Sequence, residues 1–317
     1  MKIAVSGCLN GHKCRFDGGS KKDDFIINNL SKYSDFITFC PEDSLFGSPR
    51  ESLRIVRKGN QNRVIGNKTK NDFTELLKEE SQKVVERLKK ENLSGIIFKS
   101  KSPTCGISRL KIYAEDGNLY FNDGVGVLAE LVKEQMSEIP FEDEGRLQDD
   151  WLKENFMMRI FAFENFNNFK NKDNLQIKDL IKFHSNYKYL LLSKNEKIYR
   201  EMGRIVANHE KLEFDEVLKH YEKKFKKVIS TNGNKNTVFN VLLHMHGFLK
   251  EFLSKDEKQE LLTLFEDFKN GIIPLITPIS IIKIYAEKFN VKFLKNQIFL
   301  EPYPKELALR SSIKAFK

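Results

Sequence analysis

Residues 95–106 read "GIIFKSKSPTCG", an apolar run that breaks into Lys99, Ser100, Lys101, Ser102, Pro103 and Thr104 before a thiol at Cys105. A short run of this kind, with two isoleucines at its centre and turn formers at its end, reads as a buried strand. The same pattern occurs earlier as "KIAVS" at 2–6 and "FITF" at 36–39. Between these runs, "KKDDFIINNLSKY" and "NDFTELLKEESQKVVERLKKEN" carry apolar residues at helical spacing, the second with Leu76, Leu77, Val84, Val85 and Leu88 on one expected face. Strands alternating with helices predict an α/β domain with a parallel, Rossmann-like sheet. "LRIVRKGNQNRVIGN" predicts a hairpin turning at Gly59-Asn60, "LKIYAEDGNLYF" a second at Asp116-Gly117, and "VGVLAELVKEQM" a closing helix.

Beyond the acidic joint "EIPFEDEGRLQDD" at 138–150 the pattern is helical only, from "WLKENFMMRIFAFENF" through "KDEKQELLTLFEDFKNG", with a further helix around "ISIIKIYAEKF". Asn, Asp, Gly and Ser mark the joints. The expectation is an α/β domain over residues 1–145 and an all-α helical bundle over 146–317. Formal charge divides the same way: residues 1–150 sum to zero, and 151–317 carry the whole net +10. A basic half beside a neutral half that holds all four cysteines suggests a polyanion-binding module joined to a chemical one. Lysines solvating the outer helix faces are the plain alternative.

No apolar run approaches the length of a membrane span, and the first residues enter a strand directly, so a soluble, cytoplasmic protein is expected. Four cysteines in 317 residues exclude a disulfide scaffold. Cys8, Cys40 and Cys105 each follow the carboxyl end of an expected strand, where the loops of an open parallel sheet form a crevice. Soft thiolates select zinc or iron–sulfur clusters, and three of them leave one coordination position open. Three unrelated buried thiols are the alternative. Glu42 in "CPED" and Ser102 in "SPTC" bring a carboxylate and a hydroxyl beside these thiols as acid–base candidates. Their ordinary alternatives are an ion pair with Arg50 and a cap on the turn at Pro103. Lys99 and Lys101 stand between solvated charge and a task at the site. Arg15, Asp17, Gly18 and Gly19 form a turn. His244 and His246, two apart on a helix, make a poor metal pair, and Phe156, Phe161, Phe163 and Phe166 read as core.

"KIAVSGCLNGHKCRFDGGSKK", "CPEDSLFGSPRESLRIV", "FKSKSPTCG" and "EDEGRLQDDWLKENFMMRIFAF" resemble, in order and spacing, the thiouracil desulfidase (TudS) domain. "LIKFHSNYKYLLLSKNEKIYREMGRIVAN", "NTVFNVLLHMHGFLKEFLS" and "GIIPLITPISIIKIY" resemble the helical domain often fused to it, and the combination is similar to the tRNA 4-thiouridine desulfidase family (RudS). The two resemblances cover nearly the whole chain.

They imply an oxygen-sensitive 4Fe-4S cluster bound by Cys8, Cys40 and Cys105, with one open iron that takes the thiocarbonyl sulfur while water attacks the carbon. No net redox change is required. Acid–base roles map onto Glu42 and Ser102, with Ser100 in reserve. The implied substrate is 4-thiouridine in tRNA, gripped by the basic helical half, with Lys182, Lys188 and Arg204 as candidate contacts. No membrane or obligate protein partner is expected. A desulfidase of free thiouracil or of thiouridine nucleotides is one alternative, and a cluster-bearing nucleic-acid-binding protein without turnover is another. Three positions depart from the family pattern: Cys14 stands at an apolar position, where it is either a bystander or a fourth ligand; Thr104 replaces a common serine; Ser20 replaces a common histidine.

Overall fold

The computed structural model describes residues 1–208 and 211–317, which divide into two units, Met1–Gln148 and Asp149–Lys317. In the first, strands β1 (Lys2–Ser6), β2 (Asp35–Phe39) and β5 (Leu93–Phe98) lie parallel in one sheet. β1 is the middle strand, pairing Ile3 with Phe36 on one side and with Gly95 on the other. All six residues of β5 are buried, as its unbroken apolar run predicts. Helix α1 (Pro41–Phe46) follows β2; α2 (Thr74–Lys89) precedes β5, and α3 (Val127–Gln135) packs against α2. Leu77, Val84, Val85 and Leu88 face the core from α2, whereas Leu76 is exposed, one position off the stripe.

The two expected hairpins form β3 (Leu53–Lys58) with β4 (Gln61–Gly66), and β6 (Leu110–Tyr113) with β7 (Leu119–Gly124). Gly59 and Gly117 hold positive φ at the turns, as tight hairpin connections require. Parallel pairing of β3 with β6 joins them into a separate sheet, ordered β4-β3-β6-β7.

Two expectations are corrected. Residues 21–33 do not form a regular α-helix: Phe25–Asn29 makes one wide turn and Leu30–Lys32 a tight one. Ile26 and Leu30 still anchor the segment in the core, but adjacent isoleucines and asparagines favour a helix weakly. The acidic joint at 138–150 contains a strand, β8 (Phe141–Asp143), which completes the parallel sheet in the order β2-β1-β5-β8. Three residues with two acids carry no strand pattern; pairing with Ile96, Ile97 and Phe98 supplies it.

The second unit is all helical: α4 (Asp150–Lys170), α5 (Ile177–Lys194), α6 (Glu196–Ala207), α7 (Phe214–Ile229), α8 (Lys235–Leu249), α9 (Lys255–Lys269), α10 (Ile276–Lys288) and the short α11 (Lys292–Lys295). The segment expected to continue α6 to residue 211 crosses 209–210, outside the described residues. Pro278 lies in the first turn of α10, where its missing N–H breaks no bond. Phe156, Phe163 and Phe166 are buried as expected, and Phe166 stacks on Phe225 of α7 with centroids 4.8 Å apart. Phe161 is half-buried against Tyr303. In α4 the fully buried Glu154 accepts from Arg310 Nε and from the Tyr303 hydroxyl, both at 3.1 Å, which fastens the C-terminal tail to that helix.

His184 of α5 lies buried in this core, its Nδ1 3.2 Å from the Tyr221 hydroxyl and its ring stacked on Tyr199. Burial holds its pKa down at about 4. A histidine kept neutral when folded but free to protonate when unfolded removes stability as pH falls. Denaturation of the full chain is expected to show the helical unit losing stability from about pH 6.5 towards 4, up to roughly 3 kcal/mol from this residue. A His184→Gln protein should lose that part of the slope; an unchanged slope would contradict the assignment.

Candidate active site

The carboxyl ends of β1, β2 and β5 converge as the strand alternation predicts. Beyond β1, a tight turn at Gly7–Asn10 carries Cys8. Beyond β2, Cys40 caps α1 in an extended conformation, with Pro41 at the first helical position and Glu42 in the first turn. Beyond β5, the turn through Pro103 carries Cys105. All three thiols line one cavity of about 420 Å³, together with Glu42 and Ser102. Cys8 and Cys105 are buried, and Cys40 is half-buried.

Glu42 organises the polar wall. One carboxylate oxygen accepts from Ser102 Oγ at 3.2 Å and Thr104 Oγ1 at 2.8 Å; the other accepts from Arg50 Nη2 at 2.9 Å. Ser102 Oγ in turn accepts from the backbone N–H of Thr104 at 3.2 Å and of Cys105 at 3.1 Å. The ordinary and the chemical readings of both residues therefore hold together: Glu42 is paired with Arg50, Ser102 caps its turn, and the two side chains are bonded to each other. Thr104 keeps the hydroxyl of the serine it replaces and spends it on Glu42.

Ser100 and Lys99 have another partner. Ser100 donates from both N–H and Oγ to Glu144, at 2.6 and 2.7 Å, and Lys99 Nζ closes the same carboxylate in an ion pair. Glu144, just beyond β8, thus holds both residues at the cavity wall and leaves Ser102 and Thr104 as the hydroxyls that meet Glu42. Lys101 is exposed, with a positive φ of 59°. Arg15 and Asp17 pair with each other, and Gly18 and Gly19 make the expected turn. Phe16, from the same turn, presents an exposed ring at the cavity. The ion pair of Arg50 with Glu42 is the one the sequence suggested, whereas Phe16 was not singled out and its only signal was its place in "CRFDGG".

Cys14 lines the cavity as a fourth thiol. Its carbonyl accepts from Arg50 Nη1 at 3.1 Å and from Cys40 Sγ at 3.6 Å, and its sulfur packs against Gly7, where an added Cβ would lie 3.4 Å away. The thiols influence one another. A bond with Cys40 draws Cys14 down, but Cys8 and burial outweigh it and leave the group at about 11. Cys40 is raised by bonding with Cys14 and by burial; Cys105 is raised by burial, then by the charges of Cys40 and Glu42. Such a group resists ionising unless a cationic centre compensates. Among the described residues, no group of three or more His, Cys, Asp or Glu side chains is placed to hold a metal ion.

The proposed nucleic-acid contacts lie in the helical unit. Lys182 and Arg204 are exposed on α5 and α6, while Lys188 lies over the rings of Tyr189 and Phe293 at 5.3 and 5.5 Å. Six residues turn a helix through about 600°, so Lys182 and Lys188 point roughly 120° apart. His244 is exposed and His246 half-buried against Phe265.

Residues 3–144 match the family described as 2-thiouracil desulfurase, and residues 188–304 match a protein family of unknown function (DUF1722). The uncharacterized protein YbbK of Bacillus subtilis (strain 168) is 32% identical over 139 residues, covering 42% of this chain and 89% of that protein. The chain belongs to the 2-thiouracil desulfurase family. The uncharacterized protein YbgA of Escherichia coli (strain K12) is 29% identical over 157 residues, 49% of this chain and 92% of that protein. Among solved structures, the [4Fe-4S]-dependent thiouracil desulfidase TudS is 25% identical, covering 46% of this chain and 93% of that one, with a TM-score of 0.37. In this desulfurase-family chain, the family match spans all three strand-end thiols and the Glu42–Ser102 pair. No helix among the described residues is long and apolar enough to cross a membrane.

Proposed function

We propose that the chain is an iron–sulfur-dependent, non-redox desulfidase that converts 4-thiouridine in tRNA to uridine and releases sulfide. The observation that carries the reading is the convergence of Cys8, Cys40 and Cys105 on one cavity beside a hydrogen-bonded carboxylate and hydroxyl. The donor set fits a 4Fe-4S cluster: soft sulfur ligands from three loops on one cavity, and thiols whose ionisation needs a cationic partner. Cys8, Cys40 and Cys105 would hold such a cluster, and when bound it would supply a sulfur-seeking Lewis acid for the carbon–sulfur bond.

The chain's own residues do the rest. Glu42 accepts hydrogen bonds on both oxygens, so a water that takes the place of one hydroxyl donor is oriented and can give its proton to the carboxylate as it attacks carbon. Arg50 fixes the carboxylate against rotation, being itself bonded to the carbonyls of Cys14 and Gly47. Ser102, its oxygen held by two backbone N–H groups, delivers a proton to the departing sulfur or the ring nitrogen. Phe16 offers a ring on which a pyrimidine drawn out of its stack can lie.

The basic helical unit, with Lys182, Lys188 and Arg204 as contacts, would hold tRNA phosphates, and its binding should weaken steeply with salt. Anaerobically reconstituted protein incubated with bulk tRNA is expected to lower 4-thiouridine and release sulfide in excess over enzyme. Unchanged 4-thiouridine with faster turnover of free 2-thiouracil would move the substrate to the free base; sulfide at or below one equivalent would remove turnover altogether.

A further inference from the structure

A second cavity, of about 240 Å³, shares a wall with the thiol cavity: Gly7, Cys14, Phe39 and Cys40 line both. Of the four thiols it reaches Cys14 and Cys40, and neither Cys8 nor Cys105. A water molecule takes about 30 Å³ of liquid volume, so a molecule as small as a peroxide enters easily. These two thiols therefore have an approach that does not pass through the space where the thiolated base would lie. Cys40 is also the most accessible of the four, half-buried where the others are buried.

The pair is close. The Cys40 thiol donates to the Cys14 carbonyl at 3.6 Å, and the two side chains are within bonding reach of each other. Cys14 lies on an irregular loop, in neither strand nor helix, while Cys40 sits at the N-terminal cap of α1. A loop can take up the shift that closing a sulfur–sulfur bond requires. The mechanism above gives the Cys14 thiol no task.

We infer that Cys40 and Cys14 are an oxidation pair: when no cluster holds Cys40, a peroxide oxidises it and Cys14 resolves it as a disulfide. In the first step the Cys40 sulfur attacks one peroxide oxygen, the O–O bond breaks, and the thiol becomes a sulfenic acid with release of one water. In the second, the Cys14 sulfur attacks the sulfenic sulfur; the S–S bond forms, the S–O bond breaks and a second water leaves. The two thiols give up two electrons and two protons, and the peroxide takes both. The disulfide stops Cys40 short of sulfinic acid, from which a dithiol does not return it, whereas a dithiol does reopen the disulfide. Attack needs the thiolate, and both thiols are held well above their ordinary pKa, so the reaction is slow. The linkage does not rest on the desulfidase reading; only its effect on iron uptake does.

The test treats the full chain, freed of iron by a chelator, with excess hydrogen peroxide, and compares it with Cys14→Ala and Cys14→Ser. Free thiols are counted and linked peptides identified by mass. Wild type is expected to lose two of its four thiols, to carry a Cys14–Cys40 link, and to recover nearly all of its iron and sulfide uptake after a dithiol. The variants should carry sulfinic acid at Cys40 and recover at least about fivefold less. A link from either cysteine to Cys8 or Cys105, four surviving thiols, or variants that recover as fully as wild type would overturn the pair. A Cys14–Cys40 link in a chain that takes up iron neither before oxidation nor after reduction would keep the pair and reject the cluster.

Discussion

A Cys105→Ser protein prepared without oxygen is expected to lose most of its iron and at least about a thousandfold of its desulfidase rate, while keeping its helical content and melting behaviour nearly intact. A thousandfold is about 4 kcal/mol of transition-state stabilisation, a plausible loss when the centre that polarises the carbon–sulfur bond is no longer assembled. Serine keeps the shape of the turn, because the backbone N–H groups of Thr104 and Cys105 donate to Ser102 Oγ whichever atom ends the side chain at 105. What changes is ligand softness, since an alkoxide or hydroxyl does not replace a thiolate at iron–sulfur centres. Cys8→Ser and Cys40→Ser should behave alike. Cys14→Ala is the informative contrast: it keeps the backbone carbonyl that accepts from Arg50 and Cys40, so the variant should keep iron and turnover within a few-fold. Loss of iron from Cys14→Ala equal to that from Cys105→Ser would make it a fourth ligand and close the position on which the mechanism depends.

Glu42→Gln is expected to lower kcat by about 10² to 10⁴ with iron content unchanged, the range for removal of a positioned general base. The amide preserves size but cannot take a proton from water, and it presents an N–H₂ group to partners that are all donors: Ser102, Thr104 and Arg50. Arg50 is nearly buried, with 6% of its side chain exposed, so some loss of stability should accompany the loss of rate. Iron content and thermal melts on the same preparation separate the two effects. A Glu42→Gln enzyme within tenfold of wild type would show that proton transfer does not pass through this carboxylate. Ser102→Ala should fall between these limits, since Thr104 still bonds Glu42 but the cap on the Cys105 turn is gone.

Much of this arrangement was legible in the sequence because the deciding signals are local. Apolar runs ending in turn formers mark β1, β2 and β5, and a cysteine close beyond each run places the thiols at one edge of a parallel sheet. What was not legible depends on distant partners. β8 is a strand because Phe98 and its neighbours pair with Asp143 and its neighbours, not because "FED" has any strand character. Ser100 and Lys99 are claimed by Glu144, forty-odd residues on, so their position in "KSKSPTC" said nothing of their task. Residues 21–33 show the opposite failure, in which a correct burial pattern at Ile26 and Leu30 was carried by irregular turns instead of a helix.

The central claim, that three strand-end cysteines hold an iron–sulfur centre which acts on a thiocarbonyl, is tested most directly on anaerobically purified protein. Iron and acid-labile sulfide are measured together with the visible absorbance, before and after adding a 4-thiouridine nucleotide. The account predicts about four irons and four sulfides per chain, an absorbance that changes when the nucleotide is added, and uridine as product. Zinc in place of iron, or an iron–sulfur spectrum indifferent to the thiolated nucleotide with no uridine formed, would contradict it.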